Sequence, residues 1–231
     1  QRFYGESAYK FAQMLQRAGD YPNAIQAFRY VLLSKLEPED LEYQIKIEMC
    51  ELMIRAAVKS SGEAQKALLD EAFKVATSVQ WVGPQSLWFW KSVVIVAHIE
   101  MLRGNKDGAR KIIMGKMEGL EEADKLLGSQ GRESLKHSPL AECRFLMGTM
   151  SEENGNELLA KNSVEEARKS YRDALFNYCV VILKYPSSAW AMDARKHVDG
   201  ITKIAKARKW PLQLPVFDNS QFAAEQLKEA R

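Results

Sequence analysis

Residues 12–31 read AQMLQRAGDYPNAIQAFRYV and carry the pattern that decides the fold. Apolar residues recur here at steps of three and four, the spacing that lines one face of an α-helix. Gly19 interrupts the pattern, and Asp20 follows it as a side chain that can accept a hydrogen bond from the start of a helix. Pro22 then stands near the first turn of a second helix, where proline is tolerated. The stretch therefore predicts two helices joined by a tight turn.

The same helical spacing continues along almost all of the 231 residues. Pro38, Pro84 and Pro139 each stand at an expected first turn, and Ser163 with Glu166 forms a capping box. Short connections predict antiparallel neighbours, and such hairpins must stack to bury their apolar faces. Helices are predicted over residues 5–18, 21–35, 39–59, 63–78, 84–103, 106–117, 118–128, 139–160, 163–184 and 188–208.

The first hairpin combines a small residue in its first helix, a Gly–polar–aromatic turn and an Ala-x-x-x-Phe spacing in its second helix. The residues are Ala12, Gly19, Asp20, Tyr21, Ala24 and Phe28. This resembles the tetratricopeptide (TPR) repeat. Phe73, Ile113 and Tyr171 occupy positions equivalent to Phe28, at spacings longer than the 34 residues typical of the family. The resemblance implies an all-α fold, a TPR-like α-α superhelix of stacked antiparallel helical hairpins. In it, Phe28 and Tyr171 are expected to be buried between hairpins.

The fourth hairpin ends in a more specific motif, KYPSSAWA at residues 184–191. It resembles the K-[YF]-P-x-S-x-[YW]-A junction of bacterial cell-envelope TPR proteins, of the outer-membrane assembly lipoprotein and Tol-Pal coordinator type. In those families a proline ends one repeat and a serine caps the next. The resemblance implies a periplasmic or cell-envelope location, with the cytoplasm as the alternative.

Charge and hydropathy argue against two classes of partner. The formal net charge is only +3, so the overall field does not demand a nucleic acid. Basic residues are concentrated in the last long helix, from Arg195 to Lys209, rather than repeated at equivalent positions. The most apolar stretch, residues 88–101, is interrupted by Lys91, His98 and Glu100, so no integral membrane segment is expected.

No constellation typical of an enzyme is found. The three histidines have no His or Cys partner at metal-ligand spacing, and the three cysteines are far apart in apolar helical stretches. We therefore expect no catalytic, cofactor or metal site, and free, buried thiols, with a disulfide between two cysteines as the alternative. The residues are His98, His137, His197, Cys50, Cys143 and Cys179.

These patterns predict a non-catalytic scaffold that binds a peptide or protein in a solenoid groove. Aligning the first and third hairpins on the TPR pattern assigns partner-binding positions to Glu6, Tyr9, Gln13, Gln16, Lys91, His98 and Met101. The alternative is a structural or oligomerisation module of a larger polypeptide, with no groove in use. Both leave the partner and the oligomeric state open.

An aromatic cluster surrounds Pro84: Trp81, Trp88, Phe89 and Trp90. We expect it to form a hairpin-junction core. Because Trp88 and Trp90 are two residues apart, they cannot face the same way on a helix, and one of them is a candidate for exposure or ligand contact.

The domain prediction is a TPR-like repeat domain over residues 1–208, with about four hairpins and a final helix. Residues 209–231 follow as an extended apolar segment and a C-terminal capping helix. Residues 210–217 are expected to pack on the last hairpin or in the groove, because the end of a hairpin stack needs a cap. The chain starts at Gln1 rather than at methionine, so we expect it to be a piece of a longer polypeptide.

Overall fold

The computed structural model describes residues 2–33 and 39–211. Within these ranges it has ten α-helices and no β-strand, which confirms the predicted all-α class. Two short 3-10 helices, Gln80–Val82 and Arg132–His137, follow α4 and α7. The α-helices are α1 (Arg2–Arg17), α2 (Tyr21–Leu32), α3 (Glu39–Val58), α4 (Gly62–Val79), α5 (Leu87–Leu102), α6 (Lys106–Met114), α7 (Met117–Ser129), α8 (Pro139–Ala160), α9 (Val164–Lys184) and α10 (Ala191–Ala207).

The chain divides into two compact units at Ser134 and Leu135. The N-terminal unit contains α1 to α7, and the C-terminal unit contains α8 to α10. The predicted repeat domain over residues 1–208 therefore takes in residues of both units. No helix among the described residues is both long and apolar enough to cross a bilayer.

The N-terminal unit is built from consecutive helix pairs. α1 packs on α2, α3 on α4 and α5 on α6, while α2 packs on α3 and α4 on α5. The first helices α3 and α5 also contact each other directly, and α7 packs on α5. Phe28 of α2 is fully buried in the common core, with its ring centroid 6.0 Å from that of Tyr9 on α1. The predicted burial of Phe28 is thus confirmed.

The C-terminal unit is a long pair, α8 and α9, with α10 packed on α9. Tyr171 and Tyr178, seven residues apart on α9, are fully buried, and the Tyr171 prediction is confirmed. Trp210 is half-buried beyond α10, and its ring centroid lies 6.0 Å from that of Tyr171. This agrees with the packing predicted for the start of the apolar segment. Residues 212–231, which include the rest of that segment and the predicted capping helix, lie outside the described residues.

One turn recurs in three hairpins although its sequence varies. Gly19, Gly104 and Asn162 each end a helix with a positive φ, at 79°, 83° and 60°. In each case the next residue donates its N–H to a carbonyl five positions earlier, which satisfies a free helix-end acceptor. These bonds are Asp20 N to Leu15 O (3.0 Å), Asn105 N to Glu100 O (2.9 Å) and Ser163 N to Leu158 O (2.9 Å).

The helix caps agree only partly with the prediction. Asp20 accepts from Asn23 N, and Ser138 accepts from Leu140 N next to Pro139, as expected. The capping box at Ser163 is wrong, because that side chain makes no cap hydrogen bond.

Two predicted helix starts are also wrong by three residues. α5 begins at Leu87 rather than at residue 84, with Ser86 as its N-cap, because Pro84 lies in a turn closed by Ser86 N and Gly83 O. α10 begins at Ala191 rather than at residue 188. Its N-cap is Trp190, whereas Ser188 is buried within the preceding turn. The remaining expected first turn, at Pro38, lies outside the described residues.

Candidate functional site

The predicted partner-binding residues of the first hairpin lie on α1. Tyr9, Gln13 and Gln16 are half-buried there. Glu6 belongs to the same helix, but its side chain is outside the described part. These positions follow one another at steps of three and four, so they lie along one stripe of the helix.

The hydroxyl of Tyr9 ties α1 to α3. The hydroxyl donates to Glu48 Oε1 at 2.8 Å and accepts from Gln44 Nε2 at 3.0 Å. Gln44 also donates to Glu48 Oε1 at 2.8 Å. Burial and the Glu48 carboxylate raise the pKa of Tyr9, so the hydroxyl stays protonated and serves as a donor. The sequence reasoning missed Gln44 and Glu48, although their i, i+4 spacing on a first helix could have indicated them.

The predicted residues of the third hairpin lie on α5, where Lys91, His98 and Met101 are half-buried. The Lys91 ammonium lies 5.6 Å from the centroid of the Trp88 ring. The two predicted groups are on different helices, and α3 is bonded to α1 through Tyr9 and packed on α5. The first helices of the N-terminal unit, α1, α3 and α5, therefore form one connected layer.

A second surface lies on the opposite side of α5. It is an open groove of about 610 Å³ within the N-terminal unit. Val93 and Val96 form part of its lining and are only 3% and 8% exposed. With 3.6 residues per turn, these valines point away from Lys91 and His98. The lining residues are Thr77, Gln80, Trp81, Phe89, Val93, Val96, Lys111, Ile112, Gly115 and Lys116.

Trp81 is the most exposed large apolar side chain among the described residues, at 91%. It lies in the 3-10 helix that follows α4, at the edge of the groove. The buried stripe of α4 runs through Ala72, Ala76 and Val79, and Trp81 lies half a turn away from it. Its position relative to that stripe is the sequence signal that could have identified it.

The two tryptophans favoured by the sequence have other roles. Trp88 packs against the core of the N-terminal unit. The Trp90 ring covers Gly119 of α7, and its Nε1 donates to Pro84 O at 2.8 Å. Both are half-buried, and the junction core expected of this cluster is wrong for Trp81, which is the exposed residue.

The charged side chains among the described residues that line the groove are two lysines, Lys111 and Lys116. Both are exposed, and they flank the C-terminal end of α6. The groove thus combines an apolar surface with cations and has no lining carboxylate in this part of the chain. Such a surface suits an apolar group that carries a negative charge nearby.

The C-terminal unit contains a partly buried polar cluster. Glu152 Oε2 of α8 accepts from the Tyr178 hydroxyl of α9 at 2.8 Å and lies 2.7 Å from His197 Nδ1 of α10. The His197 ring stacks on Tyr178, with centroids 4.9 Å apart and planes 19° apart. The hydrogen bond to Glu152 raises the pKa of His197 despite partial burial. The cluster ties three helices together and was not anticipated from the sequence.

The sequence also singled out possible metal ligands, three cysteines and the basic residues of the last long helix. No set of three His, Cys, Asp or Glu in residues 2–33 and 39–211 is arranged to hold a metal ion. Cys50 and Cys143 are buried and Cys179 is half-buried, and no disulfide joins these three, all of which are described. The basic side chains of α10 and the residues after it, such as Lys203 and Lys206, are exposed.

The comparisons with known proteins identify no relative. No protein-family model, no curated protein and no solved structure matches this chain.

Proposed function

We propose that this chain is a non-catalytic protein-binding scaffold, a TPR-like stack of helical hairpins that holds a peptide segment of a partner protein. The observation that carries the proposal is the open apolar groove in the N-terminal unit with the exposed Trp81 at its edge. Exposed aromatic residues beside apolar pockets are typical of the points where binding energy is concentrated in protein interfaces.

The packing order of the helices supports a scaffold role. In the N-terminal unit α2 packs on α3 and α4 on α5, and α3 and α5 are in direct contact. Repeated hairpins of this kind present extended surfaces built from equivalent positions. The layer of first helices, with Tyr9, Lys91 and His98, is the further surface that the TPR resemblance assigns to a partner.

A location in the bacterial cell envelope remains part of the proposal. Its support is the KYPSSAWA junction at residues 184–191. Fractionation of the native organism, with an antibody raised against this chain, tests it: recovery in the periplasmic or envelope fraction is expected, and recovery in the cytoplasm alone contradicts it.

The binding function is tested by selection of a random 12-residue peptide library displayed on phage against the full chain. Enrichment of related peptides, confirmed by fluorescence polarisation with synthetic copies, is the expected result. Failure to enrich any peptide, together with self-association in analytical ultracentrifugation, would instead support a structural or oligomerisation module.

A further inference from the structure

The groove beside Trp81 has a composition that defines its occupant more narrowly than the proposed function does. We infer that it binds a partner segment in which a large apolar side chain stands next to Asp or Glu. This inference rests on the proposed function, since it assigns the peptide chemistry and the contact residues of the same scaffold.

The apolar half of the inference comes from Trp81 and the α5 residues. A tryptophan exposed to 91% leaves a large apolar area in water, which a partner side chain would remove. Val93 and Val96, which line the groove, are almost fully buried, so this part of the apolar lining is already in place before a partner binds. A preformed site loses little conformational entropy on binding.

The volume of the groove suits a few side chains of a partner segment rather than the surface of a whole folded protein. Its volume, about 610 Å³, is within the range of roughly 300–1,000 Å³ usual for ligand pockets. It opens between the end of α4 and the end of α6, which both pack on α5. A short segment that presents its apolar side chains to α5 fits this trough.

The acidic half of the inference comes from charge complementarity. Lys111 and Lys116 lie along the α6 side of the groove, and no described lining residue is acidic. A carboxylate on the segment would approach these ammonium groups, whereas a lysine or arginine there would be repelled. The apolar contact supplies affinity, and the two cations select the sign of the neighbouring charge.

The test uses the full chain and three fluorescein-labelled probe peptides that differ only in charge. The acidic probe is AEELLEELFEEA, and the neutral and basic probes carry Gln or Lys in place of every Glu. Fluorescence polarisation at about 0.15 M salt, where surface charges act over roughly 8 Å, should rank affinity as acidic, neutral, basic. Equal or reversed ranking overturns the inference.

Two variants assign the binding to the groove. Trp81→Ala should weaken the acidic probe by at least about tenfold, which is the size typical of an interface anchor. Tyr30→Ala is its matched control, because Tyr30 is also a strongly exposed aromatic but does not line the groove. Unchanged affinity of Trp81→Ala overturns the inference.

The charge prediction has its own matched pair. The double variant Lys111→Glu with Lys116→Glu should prefer the basic probe over the acidic one. The control, Lys10→Glu with Lys66→Glu, makes the same change in net charge at exposed lysines outside the groove and should keep the preference for the acidic probe. If both double variants behave alike, the preference comes from overall charge and the inference is wrong.

Failure of the inference is distinguishable from failure of the proposed function. Library peptides that bind the wild type and the Trp81→Ala variant equally well would leave the scaffold intact and move its site to another surface. No enriched peptide at all would contradict both. A wild-type dimer that Trp81→Ala converts to a monomer would show that a second copy of the chain covers the groove, which also overturns the inference.

Discussion

A Cβ atom built on Gly148 of α8 would lie 2.7 Å from Cε1 of Tyr178 on α9. The glycine therefore allows the fully buried ring to lie directly against the helix backbone. Seven residues along both helices, Gly155 meets the Tyr171 ring in the same way, at 3.2 Å. Two glycines of α8 thus pack against two tyrosines of α9, and this pairing fixes the contact between the two helices.

Gly148→Ala should destabilise the C-terminal unit. The added methyl group collides with a rigid, buried ring, and overpacking of this kind costs on the order of 1–3 kcal/mol, which exceeds the helix-propensity gain of about 1 kcal/mol. Hydrogen exchange of the α8 and α9 amides, measured under native conditions by mass spectrometry, should report the loss.

Gly200→Ala is the matched control for this substitution. Gly200 lies inside α10, and a Cβ built there has no neighbour within 4 Å. The same change should therefore stabilise the unit by up to about 1 kcal/mol. If Gly148→Ala is also stabilising, the close approach of α8 and α9 is wrong.

The sequence predicted the helices well because their cause is local. Apolar spacing and helix-ending residues such as Gly19 act within a few positions, and they gave the order and type of the helices. The close approach at Gly148 could not be predicted. The role of a glycine in the middle of a helix depends on the tyrosine that packs against it from another helix. Ser163 makes no side-chain cap bond, although its φ of −81° and ψ of 70° are close to those of Asp20, which does cap its helix.

Phe28→Ala should destabilise the N-terminal unit by about 3–5 kcal/mol. The ring is fully buried, so the loss of transfer free energy adds to the cost of the cavity that remains. Phe11→Ala on α1 removes the same ring from a position that is 51% exposed and should cost less than about 1 kcal/mol. Hydrogen exchange of α1 to α4 in the two variants compares them, and similar losses would contradict the assignment of Phe28 to the core.

Asn162→Gly should stabilise the turn between α8 and α9 by up to about 1 kcal/mol. Asn162 has a φ of 60°, a conformation that glycine adopts without the steric cost that a side chain causes. Lys161→Gly is the adjacent control, because Lys161 has a φ of −88° and gains nothing from the change. Differential scanning calorimetry should find a higher Tm for the first variant only. A higher Tm for both would show that the gain does not come from the positive φ of Asn162.

The site was harder to predict than the fold. The partner-binding positions that the TPR resemblance assigned to the first helices stay a prediction, and the structure connects these helices through Tyr9 and α3. The groove beside Trp81 was missed, because it is formed by the ends of α4 and α6, which are distant in sequence. The aromatic cluster gave the right neighbourhood, but Trp81 after α4 is the exposed residue, while Trp88 and Trp90 of α5 are half-buried.

The pairing of His197 with Glu152 should make the C-terminal unit more stable at mildly acidic pH than at alkaline pH. The hydrogen bond to Glu152, and the nearby Asp193 carboxylate, raise the pKa of His197 above its ordinary value of 6.5, while burial and Lys196 oppose this. A raised folded-state pKa means that the contribution is complete below about 6.5 and is lost as pH rises through the folded-state value.

The measurement compares wild type with His197→Gln, by hydrogen exchange of α8 and α10 at about pH 5.5 and about pH 8.5, which bracket the titration of histidine. Wild type should exceed the variant in stability by more at the lower pH, because only protonated His197 forms a charged pair with Glu152. In a Glu152→Gln background, this pH-dependent difference should shrink, since the carboxylate that holds the proton on His197 is gone. A difference that is independent of pH in the wild-type background would mean that His197 acts there only through its stacking on Tyr178.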